Sequence, residues 1–265
     1  MAKNLSSSED ASSPHRLSSV ASALRLLKAF SADESELGIT TLAQRMGLAK
    51  STIHRLTSTL VSEGFLEQNP LNDKYRLGLS LFGLGTLVRR RMNVSTEALE
   101  HLHALRDRTG ETVHLAVLEQ ADIMYLFNLE SQQAIGMRSY LGVRKPAFCS
   151  SEGRAILAFS PPAVVKRVLK SALLARTPHT VIKPAALVKL LAGVAQTGYA
   201  VDDEESDAGM RGLAAPIRDA SGNVIAAVGL AGPVQRLSKK NLRSFTPWVL
   251  QAGQAISTRL GYRPD

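Results

Sequence analysis

The most constraining feature of the sequence is the segment from Gly38 to Gly78, where two short amphipathic patterns are separated by a glycine. Their apolar faces consist of Leu42, Ala43 and Met46 in the first pattern and of Ile53, Leu56 and Leu60 in the second. This spacing is typical of helices with one buried face, and Gly47 is expected to end the first. Two short helices joined by a turn of three or four residues predict a helix-turn-helix motif.

The exposed side of the second predicted helix favours nucleic-acid binding. Ser51 is an N-cap type of residue and is expected to begin this helix. The residues outside the apolar face are Lys50, Ser51, Thr52, His54, Arg55 and Ser58, and none of them is acidic. Recognition helices place such N-terminal residues against bases and phosphates, where backbone N–H groups also attract anions.

The residues after this helix predict a β-hairpin, or wing. The segments 65–68 and 74–77 flank a turn rich in Asn, Pro and Asp. Lys74 and Arg76 lie two residues apart, so they share a face that could reach phosphates. Tyr75 and Leu77 are expected to pack back on the core, as are Val20, Leu24, Leu27 and Phe30 of a helix predicted over Ser18 to Ser31.

Composition limits the classes of protein that the chain can belong to. Its 265 residues suffice for two domains, and its single cysteine, Cys149, excludes an internal disulfide and a multi-thiolate zinc site. Cys149 fits a packing position better than a reactive one. The net charge of +9 favours a polyanionic partner, and residues 16–91 carry eleven basic and six acidic side chains. We find no signal peptide or membrane-spanning run, so we expect a cytoplasmic protein without membrane partners.

The second half of the chain predicts an α+β domain. After a helix from Ser95 to Thr109, residues 112–118 and 122–129 alternate as an antiparallel hairpin. Three helical patterns follow, then a second hairpin formed by 210–218 and 223–231, and a final helix from 238 to 260. A sheet with helices grouped around it is typical of a small-molecule sensor domain.

Several motifs together resemble the IclR family of bacterial transcriptional regulators. They are Lys50-Ser51-Thr52-x-x-Arg55-Leu56, Glu63-Gly64-Phe65, Tyr75-Arg76-Leu77-Gly78, and a later block with Asp202-x-Glu204-Glu205 followed by Gly209-x-Arg211-Gly212-x-Ala214-Ala215-Pro216. The resemblance covers about Ser18 to Leu260. It implies an N-terminal winged helix-turn-helix, a linker helix and a C-terminal GAF-like effector-binding domain.

The resemblance also sets the expected domain limits and oligomeric state. We expect a Ser-rich disordered tail at 1–15, a DNA-binding domain at 16–78, a linker and dimerisation helix at 79–95, and an effector-binding domain at 96–265. Apolar residues of the linker helix would pair subunits in a homodimer or homotetramer, which would read a palindromic operator. The run Arg89-Arg90-Arg91 fits either phosphate contacts or a solvated helix end.

The expected site residues fall into two groups. Those predicted to bind DNA are Thr41, Lys50, Ser51, Thr52, His54, Arg55, Ser58, Lys74 and Arg76. Those that the resemblance places around an effector are Met137, Ser150, Ser151, Glu152, Asp202, Gly212, Gly229 and Ala231. Ser150 and Ser151 also fit a plain N-capping role without any ligand.

A small organic acid is the expected effector, because a helix N-terminus near Ser150 favours a carboxylate. Family members that hold small oxo-acids resemble this chain except that they carry Cys and Ser where it has Gly212, Gly229 and Ala231. Smaller residues there predict a roomier, less polar pocket and so an aromatic or longer acid. Glu152 would repel a carboxylate unless it points away or is protonated.

Other chemistry is not indicated. The acidic run from Asp202 to Asp207 matches no calcium loop and is interpreted as a solvated loop, so no metal and no cofactor are expected. His114 stands alone on a strand, and no arrangement of catalytic residues is found. Two alternatives remain open: a GAF-like assembly module without a ligand, and an enzyme with an appended DNA-binding domain.

Overall fold

The computed structural model describes residues 18–31, 33–91, 93–131, 133 and 142–263. Met137, predicted to line the effector site, lies outside the described residues, as do the side chains of Arg89, Arg90 and Arg91. The chain divides into two compact units between Val88 and Arg89, inside the predicted linker.

The first unit contains a helix-turn-helix followed by a hairpin. Its elements are α1 (Ser18–Leu27), α2 (Ile39–Met46), α3 (Lys50–Ser62), β1 (Leu66–Gln68) and β2 (Tyr75–Leu77), and α4 (Leu79–Arg91) continues across the boundary. The two strands are antiparallel, with Leu66 opposite Leu77. Leu37 exchanges two backbone hydrogen bonds of 2.9 Å with Tyr75 and so ties the segment before α2 to the hairpin. The predicted winged helix-turn-helix is confirmed.

The core of the first unit differs from the prediction at α1. Leu26, not Val20 or Leu24, is fully buried against α2 and α3, and the helix ends at Leu27 instead of Ser31. Val20 and Leu24 are both more than half exposed. Apolar residues surround more than one face of this short helix, so their periodicity fits two rotations and only packing selects between them.

The second unit is built on a six-stranded antiparallel sheet between two layers of helices. Its elements are α5 (Asn93–Thr109), β3 (Thr112–Glu119), β4 (Asp122–Leu129), β5 (Arg144–Pro146), α6 (Ser151–Leu157), α7 (Pro162–Lys170), α8 (Pro184–Thr197), β6 (Ala200–Asp203), β7 (Met210–Arg218), β8 (Val224–Pro233) and α9 (Lys239–Arg259). The strand order is β5-β4-β3-β8-β7-β6. Both predicted hairpins are present, and pairing of β3 with β8 joins them.

Strand alternation divides the side chains between two cores. Val113 and Leu115 of β3 face α5 and α9, where they pack with Leu213 and Leu230. The alternate residues of the same strands face α6, α7 and α8, and apart from His114 many of them are small: Ala116, Gly212, Ala214, Ala227, Gly229 and Ala231. Small side chains let the backbone of α6 approach the sheet closely.

Gly153 permits the tight entry into α6. A Cβ atom at this position would lie 2.2 Å from the carbonyl oxygen of Ala147, in the turn that precedes the helix. Because that atom belongs to the backbone of a buried turn, the contact cannot be relieved by a side-chain rotation. Gly193, in α8, has no atom within 4 Å of its hypothetical Cβ.

We therefore expect opposite effects from alanine at these two helical glycines. Gly153→Ala should lower the free energy of unfolding by about 3 kcal/mol or more, because the turn and α6 must separate. Gly193→Ala should raise it by about 0.5–1 kcal/mol, the difference in helix propensity. Urea denaturation of both variants measures this, and equal stabilities of the two would contradict the packing at α6.

Candidate nucleic-acid interface and effector site

The geometry of α2 and α3 sets the shape of the candidate interface. Gly47 has φ +64°, the left-handed conformation that ends α2, and the next N–H, of Leu48, donates to Ala43 at 3.2 Å. α3 begins at Lys50, and its N-cap is Ala49, whose side chain makes no capping bond. The prediction of Ser51 as the N-cap is thus wrong, since Ser51 lies in the first helical turn. The first N–H groups of α3 are left for solvent or an anion.

The predicted face of α3 is exposed. Ile53, Thr57 and Leu60 are buried, while the side chains on the outer side are solvent-accessible: Lys50, Ser51, Thr52, His54, Arg55 and Ser58. Thr41, on α2, is half-buried. Within the described parts of the chain, no carboxylate forms an ion pair with Lys50 or Arg55. Their charges therefore face solvent without an internal partner, as a phosphate-binding surface requires.

The wing is held by hydrogen bonds rather than by apolar packing at its tip. Glu36 accepts from the side-chain amides of Asn69 at 3.0 Å and Asn72 at 2.9 Å, and these two bonds lower the pKa of Glu36. Lys74 is exposed and precedes β2. Arg76 donates to Glu67 at 2.9 Å on the exposed face of the hairpin.

One detail of the wing was predicted wrongly. Tyr75 is buried, but Leu77 is 45% exposed and does not pack back on the core. A three-residue strand ends before strict alternation is established, so Leu77 lies at the edge of the hairpin.

The candidate effector site centres on the start of α6. Ser150 is the N-cap, and its hydroxyl accepts from Gly153 N at 3.3 Å, so the capping role foreseen for it is present. Ser151 donates to Glu152 Oε2 at 3.0 Å, and Glu152 Oε1 lies 3.2 Å from His114 Nδ1. All of these side chains are buried. Burial would raise the pKa of Glu152, but the bonds from His114 and Ser151 outweigh burial and lower it.

Six of the eight predicted effector residues line one small cavity. They are Ser150, Ser151, Glu152, Asp202, Gly212 and Ala231, and they are joined by Tyr125, Lys145, Ser206, Asp207, Met210 and Arg211. The space among them is about 10 Å³, close to the limit for one water molecule. Gly229 adjoins the cavity through Glu152, whose Oε1 lies 2.8 Å from a hypothetical Cβ at that glycine.

The prediction of a roomier pocket is therefore wrong. The space that Gly212 leaves is filled by Ser151, whose Oγ would lie 2.6 Å from a Cβ there, and the space at Gly229 is filled by Glu152. The prediction treated the absent side chains of the sheet as empty volume, whereas in the folded chain polar side chains of α6 occupy that volume. Most of the residues around this space have polar or charged side chains, with charges of both signs.

The acidic run is a bound structural loop, not the solvated loop that was predicted. Arg154, fully buried on α6, forms two bonds of 2.5 Å to the carboxylate of Glu205. Asp203 and Glu204 form ion pairs with Arg211, and Asp207 pairs with Lys145. Among the described residues, no group of His, Cys, Asp or Glu has the arrangement of a metal site.

Asp202 closes this loop from the cavity side. Its Oδ1 accepts from the backbone N–H of Glu205 at 2.8 Å and of Ser206 at 3.2 Å, and its Oδ2 accepts from the Ser206 hydroxyl. Burial raises the pKa of Asp202 to about 6, because these hydrogen bonds offset only part of the desolvation of the charged form.

Cys149 is a packing residue. It is completely buried beside α6, and burial raises the pKa of its thiol to about 11. A neutral, inaccessible thiol is a poor nucleophile. No helix within the described ranges is long and apolar enough to cross a membrane.

Sequence reasoning missed His114, Arg154, Lys145 and Tyr125. His114 pairs with a residue 38 positions away, and Arg154 with one 51 positions away, so no local spacing links them. The one available signal was the presence of His114 and Arg154 in otherwise apolar or small-residue segments, where a buried polar group needs a partner.

Comparisons with known proteins cover both units. A family model for the IclR helix-turn-helix domain matches residues 19–70, and a model for the C-terminal domain of the bacterial transcriptional regulator IclR matches residues 86–258. The HTH-type transcriptional regulator XynR of Escherichia coli K12 is 35% identical over 247 residues, which are 93% of this chain and 98% of XynR. KdgR of the same organism is 32% identical and covers 94% of this chain and 95% of KdgR.

One of the similar solved structures was determined with a bound ligand. An IclR homolog from Microbacterium hydrocarbonoxydans in complex with 4-hydroxybenzoate matches with a TM-score of 0.81 and 30% sequence identity, over 91% of this chain and 98% of that one.

The raised pKa of Asp202 gives a stability test. Because the folded protein binds this proton more tightly than the unfolded chain, the contribution of Asp202 to the free energy of unfolding falls as the pH rises from about 4 to about 6. Asp202→Asn should remove this loss, so that the free energy of unfolding of the variant increases relative to that of wild type by about 3 kcal/mol between pH 4 and 7. Asp203→Asn is the matched control: Arg211 lowers the pKa of Asp203, so the stabilisation from its charge is nearly complete above about pH 4. This variant should therefore be less stable than wild type by a nearly constant amount across the range. Thermal melts across this range would contradict the assignment if Asp202→Asn ran parallel to wild type.

Proposed function

Because the chain belongs to the IclR family of bacterial DNA-binding transcriptional regulators, we propose that α3 reads an operator and that an organic acid bound beside α6 changes this binding. The observation that carries the proposal is the pairing of two features in one chain. One is the exposed, cationic face of α3, and the other is a small buried cavity partly formed by the residues that the family resemblance selects.

On the DNA side, α3 would lie in the major groove with its uncapped N-terminus toward the backbone. Thr52 and His54 would be nearest the bases, and Arg55 would contact a guanine edge or a phosphate, with Lys50 on a phosphate. Lys74 would reach the neighbouring backbone from the wing. Arg76 would have to exchange its ion pair with Glu67 for a phosphate, at little cost because both side chains are exposed.

A dimer is part of the proposal. α4 exposes Leu79, Phe82, Leu84 and Leu87, and Phe82 is 76% accessible. A row of exposed apolar side chains on one helix favours a protein partner, and the same helix of a second copy is the simplest one. Two α3 helices related by a two-fold axis would read a palindromic operator. We place the DNA-binding domain at 16–78, the linker helix at 79–95 and the effector domain at 96–265, and we propose that the protein acts in the cytoplasm as a regulator without enzymatic activity.

For the effector, the proposal is a small organic acid. The neighbour from Microbacterium hydrocarbonoxydans was solved with 4-hydroxybenzoate, which supports a carboxylic acid and keeps an aromatic body among the candidates. Since the cavity holds about 10 Å³, binding requires side chains around it to move. Such a movement gives the ligand different affinity for two arrangements of the protein, which is the physical requirement for a switch.

The DNA side is tested at Arg55. Arg55→Ala should weaken binding to a selected operator by about 1–3 kcal/mol if the guanidinium reads guanine, while the dimer stays intact. Arg243→Ala, an exposed helical arginine of the second unit, is the matched control and should bind as wild type does. Fluorescence anisotropy at several salt concentrations gives the affinities, and light scattering gives the mass. Unchanged operator affinity of Arg55→Ala would remove α3 as the reading helix.

The effector side is tested by operator binding with and without acids. We expect at least one acid among pyruvate, glyoxylate, benzoate and hydroxybenzoates to raise the melting temperature and to change operator affinity by fivefold or more, a coupling typical of such switches. Stabilisation by pyruvate or glyoxylate with none by hydroxybenzoates would rule out the aromatic body. Acid binding with no change in operator affinity would contradict the coupling.

A further inference from the structure

His114 has a buried ring nitrogen that the hydrogen bonds of the protein leave unused. It lies in the middle of the sheet, opposite Asn128 of β4 and Gly229 of β8, and is completely buried. Its Nδ1 meets Glu152 at 3.2 Å, but its Nε2 has no hydrogen-bond partner among the described residues. A buried polar atom without a partner is costly, so it marks a place where a partner is expected to bind.

The position of the proton between His114 and Glu152 follows from Glu152. The bonds from His114 and Ser151 keep the pKa of Glu152 below its ordinary value in spite of burial, so the side chain is a carboxylate and only accepts hydrogen bonds. Nδ1 therefore carries the proton that it shares with Glu152. In the neutral ring this leaves Nε2 as a lone pair, which accepts a hydrogen bond and cannot donate one.

The surroundings favour binding over catalysis. Ser151 donates to the second oxygen of Glu152 and not to the imidazole, so the described residues place no hydroxyl nucleophile on His114. The ring lies 4.6 Å from that of Tyr125, and Tyr125 and Glu152 both line the cavity of the effector site. His114 is not itself among the lining residues but contacts two of them, so a movement of either side chain on binding would bring the imidazole within reach of the acid.

We propose that His114 selects hydroxylated acids, because its Nε2 accepts a hydrogen bond from a hydroxyl group of the effector. The inference rests on the proposed sensing of an organic acid and narrows the ligand class to hydroxy acids. A site with a buried, unsatisfied acceptor discriminates strongly against the analogue that lacks the donor, because the acceptor then stays unpaired. Glu152 fixes the ring and is a positioning residue in this arrangement.

Two variants of His114 test the roles of its two ring nitrogens separately. His114→Asn keeps an amide donor near the position of Nδ1 for Glu152 and removes the Nε2 acceptor. His114→Gln places an amide oxygen near the position of Nε2 and gives up the donor to Glu152. His103→Asn, at an exposed position of α5, is the matched control.

The test uses matched pairs of acids that differ by one hydroxyl group: 4-hydroxybenzoate with benzoate, mandelate with phenylacetate, and lactate with propionate. Titration calorimetry on the full chain should show that the hydroxylated member of at least one pair binds wild type about ten- to a hundredfold more tightly. His114→Asn should reduce this ratio to about threefold or less, while His114→Gln and His103→Asn keep most of it.

A measurement on the wild-type protein covers the case in which the variants fail to fold. Long-range proton–nitrogen NMR spectra of protein labelled at the imidazole nitrogens should show the proton of His114 on Nδ1. The Nε2 signal should then move on addition of the hydroxylated acid and not of its partner. A proton found on Nε2 in the ligand-free protein would overturn the inference.

The remaining outcomes distinguish the inference from the function on which it rests. Binding of acids with no preference for the hydroxyl, or with the same preference in His114→Asn, removes the role of His114 and leaves acid sensing in place. Failure of every acid in the panel to bind removes acid sensing, and the role of His114 with it.

Discussion

The structure of the second unit depends on the buried ion pair between Arg154 and Glu205. The guanidinium also donates to the carbonyl oxygens of Phe148 at 2.8 Å and Val201 at 3.2 Å, so one side chain joins α6, the turn before it, β6 and the loop after β6. Glu205 in turn accepts from the N–H of Val181. Desolvation of both charges is costly, and the bidentate geometry together with the two bonds to backbone carbonyls offsets it. Removal of either partner would leave a buried charge beside the effector cavity.

The DNA-binding unit could be predicted from the sequence because its determinants are local. The turn at Gly47, the buried face of α3 and the short hairpin each depend on spacings of a few residues. The errors arose at positions whose burial depends on packing with distant residues. Val20 and Leu24 fit a helical period but lie on the exposed side of α1. Leu77 lies at the end of a strand that is too short to show alternation.

The effector unit could be predicted as a set of elements but not as a site. Its two hairpins and most of its helices follow from periodicity, whereas the joining of β3 to β8 and the contacts of α6 are long-range. The acidic run was interpreted as solvated because Arg154, which neutralises Glu205, lies 51 residues away. His114 was interpreted as isolated because Glu152 is equally remote in sequence. Family resemblance located the residues of the cavity, and only the fold showed what fills it.

The small residues of the sheet under α6 set the positions of polar side chains on that helix. At Gly229 a single added carbon would lie 2.8 Å from Glu152 Oε1 and 3.0 Å from the carbonyl oxygen of Leu213, and at Gly212 it would lie 2.6 Å from Ser151 Oγ. A substitution at Gly212 would therefore displace a hydroxyl group on the helix, and one at Gly229 would press on both a carboxylate and a neighbouring strand. If the cavity binds an acid as we propose, a strand residue and the helix residue above it would vary together, so that the preferred acid depends on the pair and not on either position alone.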